Sequence, residues 1–566
     1  MQNERSLVSH LRRNLKPYWV FGAFFVYFNI LSFIRSCGLT GDEPQYAIDA
    51  YNIVFNQSRN MVEIFKDQEV INQFYPSGGL GAHLFGSMLV TFHGVGTSLF
   101  CIPAVLFPYP VIALKILFNF YTAVSVTLLF KIAINKGLKT VSKQISLVMI
   151  FFAFPPFAFF SDQIYPEIPA LLILSIVFYL ISIKSKFYIV NISILLSFLP
   201  WLHIRFTAIT FFAFIYLIFT RQSAWRAKSI SLLIFLVSGV LYLVANNRWY
   251  DTFNPFFLSS YTYSSFLPYS NLDLVYRFGF GHLFSGTYGL FPWNPLLLVL
   301  TVWIIIKSKY REHSLESTII VLGTISYLIT VGMGGSSGGL SFPARYVLIL
   351  IPIIWISIPF GLFDREKLKN PAMILIILVG VGLSIVGSLR VDSLYGRGES
   401  QNTPLMQPYR QLSTLWPDYS LKFGRDPQGV TGTGIQNLSF VEANGKFKAD
   451  LDFGFVPKGT FFISSNISNQ NIREIQIIGD GLTPSQQPLV SHLENGHLIS
   501  LPYTVRLSGT ILVDRQESNG VITLNQVENR ASEFPDLSKT LCLIFFISGF
   551  TFYVRRRNEF NASENL

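Results

Sequence analysis

Apolar runs dominate the chain from Val20 to Leu389, and one more lies between Leu541 and Val554. Each approaches the roughly 20 residues a helix needs to cross bilayer hydrocarbon, and each is bounded by charges or by Gly and Pro clusters. Basic residues gather at Arg12–Lys16, Lys131–Lys143, Lys184–Lys186, Arg221–Lys228, Lys307–Arg311, Arg365–Lys369 and Arg555–Arg557. Such clusters mark cytoplasmic span ends, so an even number of crossings must separate neighbouring clusters. The pattern predicts twelve spans, near 18–36, 112–131, 144–161, 167–183, 187–201, 206–220, 229–246, 290–306, 315–333, 346–361, 371–389 and 539–554, with both ends inside. The stretch Gly96–Phe107 is apolar but short, and with Pro108 and Pro110 after it reads as a re-entrant segment or a thirteenth span. Arg12, Arg13 and Lys16 precede the first run without a small-residue cleavage site, which predicts a retained anchor rather than a signal peptide.

Segments 37–111, 162–166, 202–205, 247–289, 334–345 and 390–538 then face outward. The last is long enough to be a domain. Its polar residues, Gly and Asn alternate with short strand-like stretches at Lys446–Phe455, Thr460–Ile463, Ile475–Ile478 and Val521–Val527. The predicted fold is a polytopic all-α membrane protein. It has a transmembrane region over 1–390 that includes the outer loop 37–111, and a small β-rich extracytoplasmic domain over 391–538, with a sandwich as one arrangement. A final helix and basic tail occupy 539–566.

Composition narrows the class. Of 566 residues, 51% are hydrophobic, 16% aromatic and only 13% charged, and the mean hydropathy is +0.43. That balance excludes an ordinary soluble enzyme and makes membrane lipids the first partner. The net charge of +11 would suggest nucleic acid if it lay on one soluble face, but it lies between apolar runs and predicts no such partner. Cys37, Cys101 and Cys542 are too scattered for a disulfide framework or a zinc site.

The outward connections carry few basic residues, and the exceptions are Arg205, Arg248, Arg277 and Arg345. A guanidinium at a membrane boundary either snorkels, pairs with a carboxylate or offers its fork to a phosphate. Arg205 lies in Leu199-Pro-Trp-Leu-His-Ile-Arg-Phe206, a tight turn that places His203 beside it at the mouth of two helices. Arg345 and Tyr346 end Phe342-Pro-Ala-Arg-Tyr346, after the glycine-rich stretch Gly334–Gly339. That stretch lacks the lysine of a phosphate loop and reads as a mobile loop.

Asp42 and Glu43 follow the first span in Gly41-Asp-Glu-Pro-Gln-Tyr46. Adjacent carboxylates at a membrane boundary are costly unless solvated, paired or functional. Asp42 fits a helix N-cap, with Pro44 in the first turn and Gln45 at capping-box spacing, and Ile48, Tyr51 and Phe55 extend the helix along the interface. That account leaves Glu43 unexplained. Asp162 and Glu167 flank Tyr165-Pro166, and His83 and His93 lie in the first loop, too loosely spaced for a metal pair.

The segment Gly41–Tyr46 resembles the acidic first-loop motif of the GT-C superfamily, the membrane glycosyltransferases that include protein O-mannosyltransferases and lipid A aminoarabinose transferases. Ile164–Pro169, Leu199–Phe206, Gly289–Pro295 and Gly338–Tyr346 resemble, in order and spacing, outer-loop features of bacterial members, so the likeness covers about residues 1–390. It implies an extracytoplasmic active site at the plasma (inner) membrane, a polyprenyl-phosphate-linked sugar donor, and inversion at the anomeric carbon. It carries the catalytic carboxylate to Asp42, with Glu43 beside it, and implies donor-phosphate contacts for Arg205 or Arg345. The recognisable soluble domain of the protein O-mannosyltransferases is missing, which leaves the acceptor undefined.

With such a donor, the protein need only align the sugar, neutralise the phosphate and accept a proton from the acceptor hydroxyl. Asp42, with a reference pKa of about 3.9, suits the base. Glu43 can orient the acceptor or share a divalent metal with Asp42, but neighbouring helical residues point in different directions and the metal stays open. Tyr46 and Tyr165, with Trp201, are placed to stack on sugar, although interfacial belts use the same residues. His203, Glu167 and Tyr346 complete the candidate binding set. The rival readings are a transporter or flippase, which would put charges near mid-membrane, and a lipid-linked oligosaccharide polymerase or ligase.

Overall fold

The computed structural model describes residues 15–35, 39, 42–74, 83–85, 88–91, 93–152, 154–183, 188–219, 225–255, 275–285, 289–308, 315–333, 345–357 and 371–389. It also describes 430–437, 441–443, 446–456, 459–465, 472–479, 497–501, 505–513 and 521–527. The expected last span at 539–554 and the glycine stretch Gly334–Gly339 lie outside these residues. The chain divides into two compact units, Met1–Thr262 with Val275–Ser420 and Asp536–Leu566, and Tyr263–Leu274 with Leu421–Pro535.

The first unit is helical. It opens with α1 (Pro17–Arg35), α2 (Glu43–Phe55), α3 (Val62–Lys66) and α4 (Gln68–Phe74), then an antiparallel pair, β1 (His83–Phe85) with β2 (Met88–Val90). Next come α5 (Val95–Val105), α6 (Pro110–Asn135), α7 (Val141–Phe152), α8 (Pro155–Phe160), α9 (Glu167–Ile183) and α10 (Tyr188–Leu202). A 3₁₀ turn, Ile204–Phe206, leads into α11 (Thr207–Phe219) and α12 (Trp225–Tyr250). After a π-helical turn, Val275–Phe280, follow α13 (Gly281–Phe284), α14 (Leu290–Trp293), α15 (Pro295–Ser308), α16 (Leu315–Met333), α17 (Leu350–Ser357) and α18 (Pro371–Leu389).

Among the described residues, α1, α6 and α12 are long and apolar enough to cross a membrane by length and composition. Several other predicted spans appear as shorter apolar helices, including α7, α9 and α10, and α5 falls on the stretch read as a re-entrant segment or a thirteenth span. The predicted span 144–161 is split into α7 and α8 at Pro155 and Pro156, which have no amide hydrogen to continue the helical ladder. Likewise 290–306 is interrupted at Asn294 before Pro295, and 346–361 begins as turns over 345–349 before α17. An apolar run reports burial or lipid contact. It does not guarantee one unbroken helix.

Exposed apolar side chains are densest in α12, where Leu233, Leu236, Val240, Leu241 and Val244 are exposed. Water would oppose that display and hydrocarbon would not. Elsewhere the helices share one core: Phe24 of α1 stacks on Phe152 of α7 at 4.4 Å between ring centroids, and the fully buried Trp355 of α17 donates its indole N–H to the Leu129 carbonyl of α6 at 2.9 Å.

Close backbone approach fixes the end of α10, which carries the turn with His203 and Arg205. A Cβ on Gly96 of α5 would lie 2.5 Å from the Trp201 carbonyl carbon and 2.6 Å from the Leu202 nitrogen. Gly96→Ala is therefore expected to push α5 off α10 and destabilise the fold by about 1–3 kcal/mol. Thermal unfolding in detergent measures this, and an unchanged midpoint would mean the two helices separate freely.

In the second unit the chain forms β3 (Val430–Asn437), β4 (Val441–Ala443), β5 (Lys446–Val456), β6 (Gly459–Ser465), β7 (Ile472–Gly479), β8 (His497–Leu501), β9 (Val505–Val513) and β10 (Val521–Val527). They make two four-stranded antiparallel sheets, ordered β3-β10-β6-β8 and β4-β5-β9-β7. Four of these strands fall on the four predicted stretches. Alternation explains the pairing of β5 with β9: Ala449 and Leu451 are buried with Ile511 and Val513, while Asp450 between them is exposed.

Candidate active site

Helix α2 begins as its sequence predicts, with Pro44 in the first turn and Asp42 at the N-cap position. The Asp42 carbonyl accepts the Gln45 amide at 3.1 Å. Its side chain, however, makes no capping bond. The carboxylate turns instead to groups far along the chain: Oδ2 accepts from Nη1 and Nη2 of Arg345 at 3.4 and 3.3 Å, and Oδ1 lies 3.8 Å from Nε2 of His93. The Asp42 side chain is 39% exposed whereas that of Arg345 is 6% exposed, so a substrate can meet this carboxylate without displacing the core.

Arg345 is shared. Its Nε lies 3.5 Å from Oε1 of Glu167, and its guanidinium sits 3.6 Å above the Tyr165 ring. The same Glu167 oxygen pairs with Nη2 of Arg205, whose guanidinium lies 4.0 Å above the Tyr346 ring. The second Glu167 oxygen is buried and has no hydrogen-bond partner among the described residues. Glu167 opens α9, where the helix N-terminus favours negative charge. Two carboxylates and two guanidiniums thus form one chain of charge, Asp42–Arg345–Glu167–Arg205, braced on aromatic faces. Tyr327 of α16 donates its hydroxyl to the Tyr346 carbonyl and fixes that ring's backbone.

Electrostatics favour the ionised carboxylate at Asp42. Burial works to raise the Asp42 pKa, but the positive groups around it, the guanidiniums of Arg345 and Arg205 among them, outweigh it and hold the carboxyl below its usual range. Burial likewise pushes His203 well below its ordinary value, helped by the guanidiniums of Arg205 and Arg345, so the imidazole is neutral. The His203 ring accepts the Arg205 amide at 3.3 Å and caps the 3₁₀ turn that aims Arg205 at Glu167.

Asp42, Tyr46, Tyr165, Glu167, His203, Arg205, Arg345 and Tyr346 are therefore brought into one neighbourhood. Glu43 has a different post. It is fully buried, and Oε1 accepts the Ile164 amide at 2.7 Å, which ties α2 to the 161–166 loop that carries Tyr165. Among the described residues no group of three or more His, Cys, Asp or Glu converges to hold a metal ion. Trp201 is committed elsewhere, donating to Ser238 at 3.1 Å and packing on Tyr242.

Sequence reasoning set His93 aside as one of two loosely spaced imidazoles; its position beside Asp42 depends on contacts that local spacing cannot express. The ion pair of Asp49 with Arg59, 2.9 Å long with both side chains buried, also joins residues that no local pattern marks as partners. Asp162 is bound by Arg35 at 2.5 Å and by Ser32 at 2.9 Å, with Lys115 3.7 Å away. Together with Glu43 it pins the loop that sets Tyr165 beneath Arg345.

Arg345 offers a direct test of this geometry. Lysine keeps the charge but cannot reach Asp42 and Glu167 together while stacking on Tyr165. Arg345→Lys is expected to weaken use of a phosphate-bearing substrate by roughly tenfold, and Arg345→Ala by more. Unchanged substrate kinetics in both variants would reduce Arg345 to a scaffold residue. No family model matches this chain, and no curated protein or solved structure matches it either.

Proposed function

We propose that this chain is an inverting GT-C-like glycosyltransferase, with a polytopic membrane body and the site facing the extracytoplasmic side. It moves a sugar from a polyprenyl phosphate to an acceptor hydroxyl. The observation that carries this reading is Asp42: a partly exposed carboxylate at a helix start that declines to cap the helix and is held ionised by cations. A structural cap would satisfy the free amides of α2. This one is available to take a proton.

The charge chain gives the reaction a coherent course. The acceptor oxygen attacks the anomeric carbon as its proton passes to Asp42, and the bond from that carbon to the phosphate oxygen breaks with its electron pair going to the phosphate. The leaving phosphate gains one negative charge as Asp42 loses one. Protonated Asp42 weakens its pull on the Nη groups of Arg345, and more of that positive charge is felt by the charge growing on the phosphate. Arg205, anchored through Glu167, supports the same region.

The decisive measurement incubates purified protein with radiolabelled polyprenyl-phosphate monosaccharides and a membrane extract. Label is expected in an acceptor with release of polyprenyl phosphate. Failure of every donor in such a panel to react would overturn the proposal.

A further inference from the structure

Two side chains hold the backbone of His93. Its carbonyl accepts Nη2 of Arg59 at 3.0 Å and the Tyr250 hydroxyl of α12 at 3.1 Å. Arg59 is in turn gripped by Asp49 of α2, through Nε at 3.1 Å and Nη2 at 2.9 Å, and lies 4.5 Å over the Trp249 ring. Ser98 of α5 donates to Asp49 at 2.8 Å. A buried ion pair is a costly way to hold one loop carbonyl, and here it fixes where the imidazole stands.

The ring's own bonds fix its tautomer. The Tyr46 hydroxyl is 3.2 Å from Nδ1 of His93, and the rings lie 4.6 Å apart. Tyr46 is buried, and burial followed by the Asp42 charge pushes its pKa well up, so it keeps its proton. A buried hydroxyl needs an acceptor, and among the described residues Nδ1 is the one within hydrogen-bond distance. Tyr46 therefore donates to Nδ1, and the neutral ring carries its hydrogen on Nε2. That nitrogen faces Asp42 Oδ1 at 3.8 Å, too far for a direct hydrogen bond. The gap is the one an oxygen atom can fill while lying within about 2.7–3.0 Å of both.

We propose that His93 positions the acceptor: its Nε2–H donates to a lone pair of the attacking hydroxyl while the proton of that hydroxyl points at Asp42. This rests on the glycosyltransferase reading above. The arrangement leaves the remaining lone pair to meet the anomeric carbon, and it is the geometry a general base needs. The charged and titratable groups around the ring are Asp42, Arg345, Asp49, Arg59 and His203. Burial lowers its pKa ahead of the opposing pull of Asp42, in keeping with a neutral donor.

His93→Gln, which can place an amide N–H where Nε2–H stood, is the informative variant beside His93→Ala. Alanine is expected to lower kcat/KM for the acceptor about tenfold or more with the donor KM unmoved, and glutamine to recover most of the loss. Tyr46→Phe releases the tautomer and should cost acceptor use in the wild-type background but nothing further in the His93→Ala background. Equal losses with alanine and glutamine, or a loss confined to the donor, would overturn the role. Ring ¹⁵N spectra of the full chain supply a readout independent of turnover: neutral His93 protonated on Nε2 at neutral pH is expected. An Nδ1–H ring or an imidazolium sinks the inference even where sugar transfer is found. Absence of transfer by the wild-type protein overturns the glycosyltransferase reading and the acceptor role with it.

Discussion

Asp42→Asn is expected to lower turnover by roughly 10²-fold or more while the protein still inserts and binds its lipid donor. Asparagine separates the two duties a residue at this position can perform, since it caps a helix about as well as aspartate but cannot accept the proton. Because the Asp42 side chain makes no capping bond, no stability should be lost through the cap. Its partners hold the carboxyl below its ordinary pKa, so the base is ionised at neutral pH. Activity that depends on it is retained above that lowered pKa and falls as pH drops through it. Near-normal turnover in the asparagine variant would shift the chemistry away from Asp42. Glu43 would be a poor substitute, because it is fully buried and one oxygen is occupied by the Ile164 amide.

The largest stability effect is expected from Asp162→Asn. The side chains of Asp162 and Arg35 are both fully buried, and Lys115 stands 3.7 Å from the other carboxylate oxygen. Arg35 also donates to the carbonyls of Ala158 and Phe159. Among the described residues Asp162 is the carboxylate that both cations face, and removing its charge from this buried cluster is expected to cost about 3–5 kcal/mol. Ser32→Ala, which deletes only the hydroxyl donor to Asp162, should cost about 1 kcal/mol and serves as the scale. Thermal unfolding and monodispersity in detergent read both. Equal, small shifts would show that the cations find other partners or water. Burial acts to raise the Asp162 pKa, but Arg35 and Lys115 with the hydrogen bonds from Ser32 and Gln163 bring it below the usual range. The stabilisation is therefore present above the ordinary carboxylate value and is lost only as pH falls through the lowered one.

Much of the framework was legible because it rests on neighbours in sequence. Ile48, Tyr51 and Phe55 share one helical spacing, and Pro44 suits a first turn, so α2 could be placed from residues 42–55 alone. Strands β5, β6, β7 and β10 fall on stretches picked out by alternation, whereas β3, β4, β8 and β9 lie outside those stretches and take their register from strands that folding brings beside them. The split of one expected span at Pro155 and Pro156 shows the limit from the other side. Hydropathy sums over a window and is blind to a missing amide hydrogen.

The sequence by itself determined that this chain is apolar, mostly helical and β-rich near its C-terminal end, and it singled out Asp42, Glu167, Arg205 and Arg345 as charges in unusual places. Tertiary structure alone decided what those charges do. Asp42 and Arg345 are 303 positions apart and Glu43 and Ile164 are 121 apart, so no local pattern could tell which of two adjacent carboxylates would stay open and which would be spent on a backbone amide. The physical reason is that hydropathy and periodicity report the averaged surroundings of a side chain. The direction of a carboxylate is set by the few hydrogen-bond donors that folding brings within about 3 Å of it.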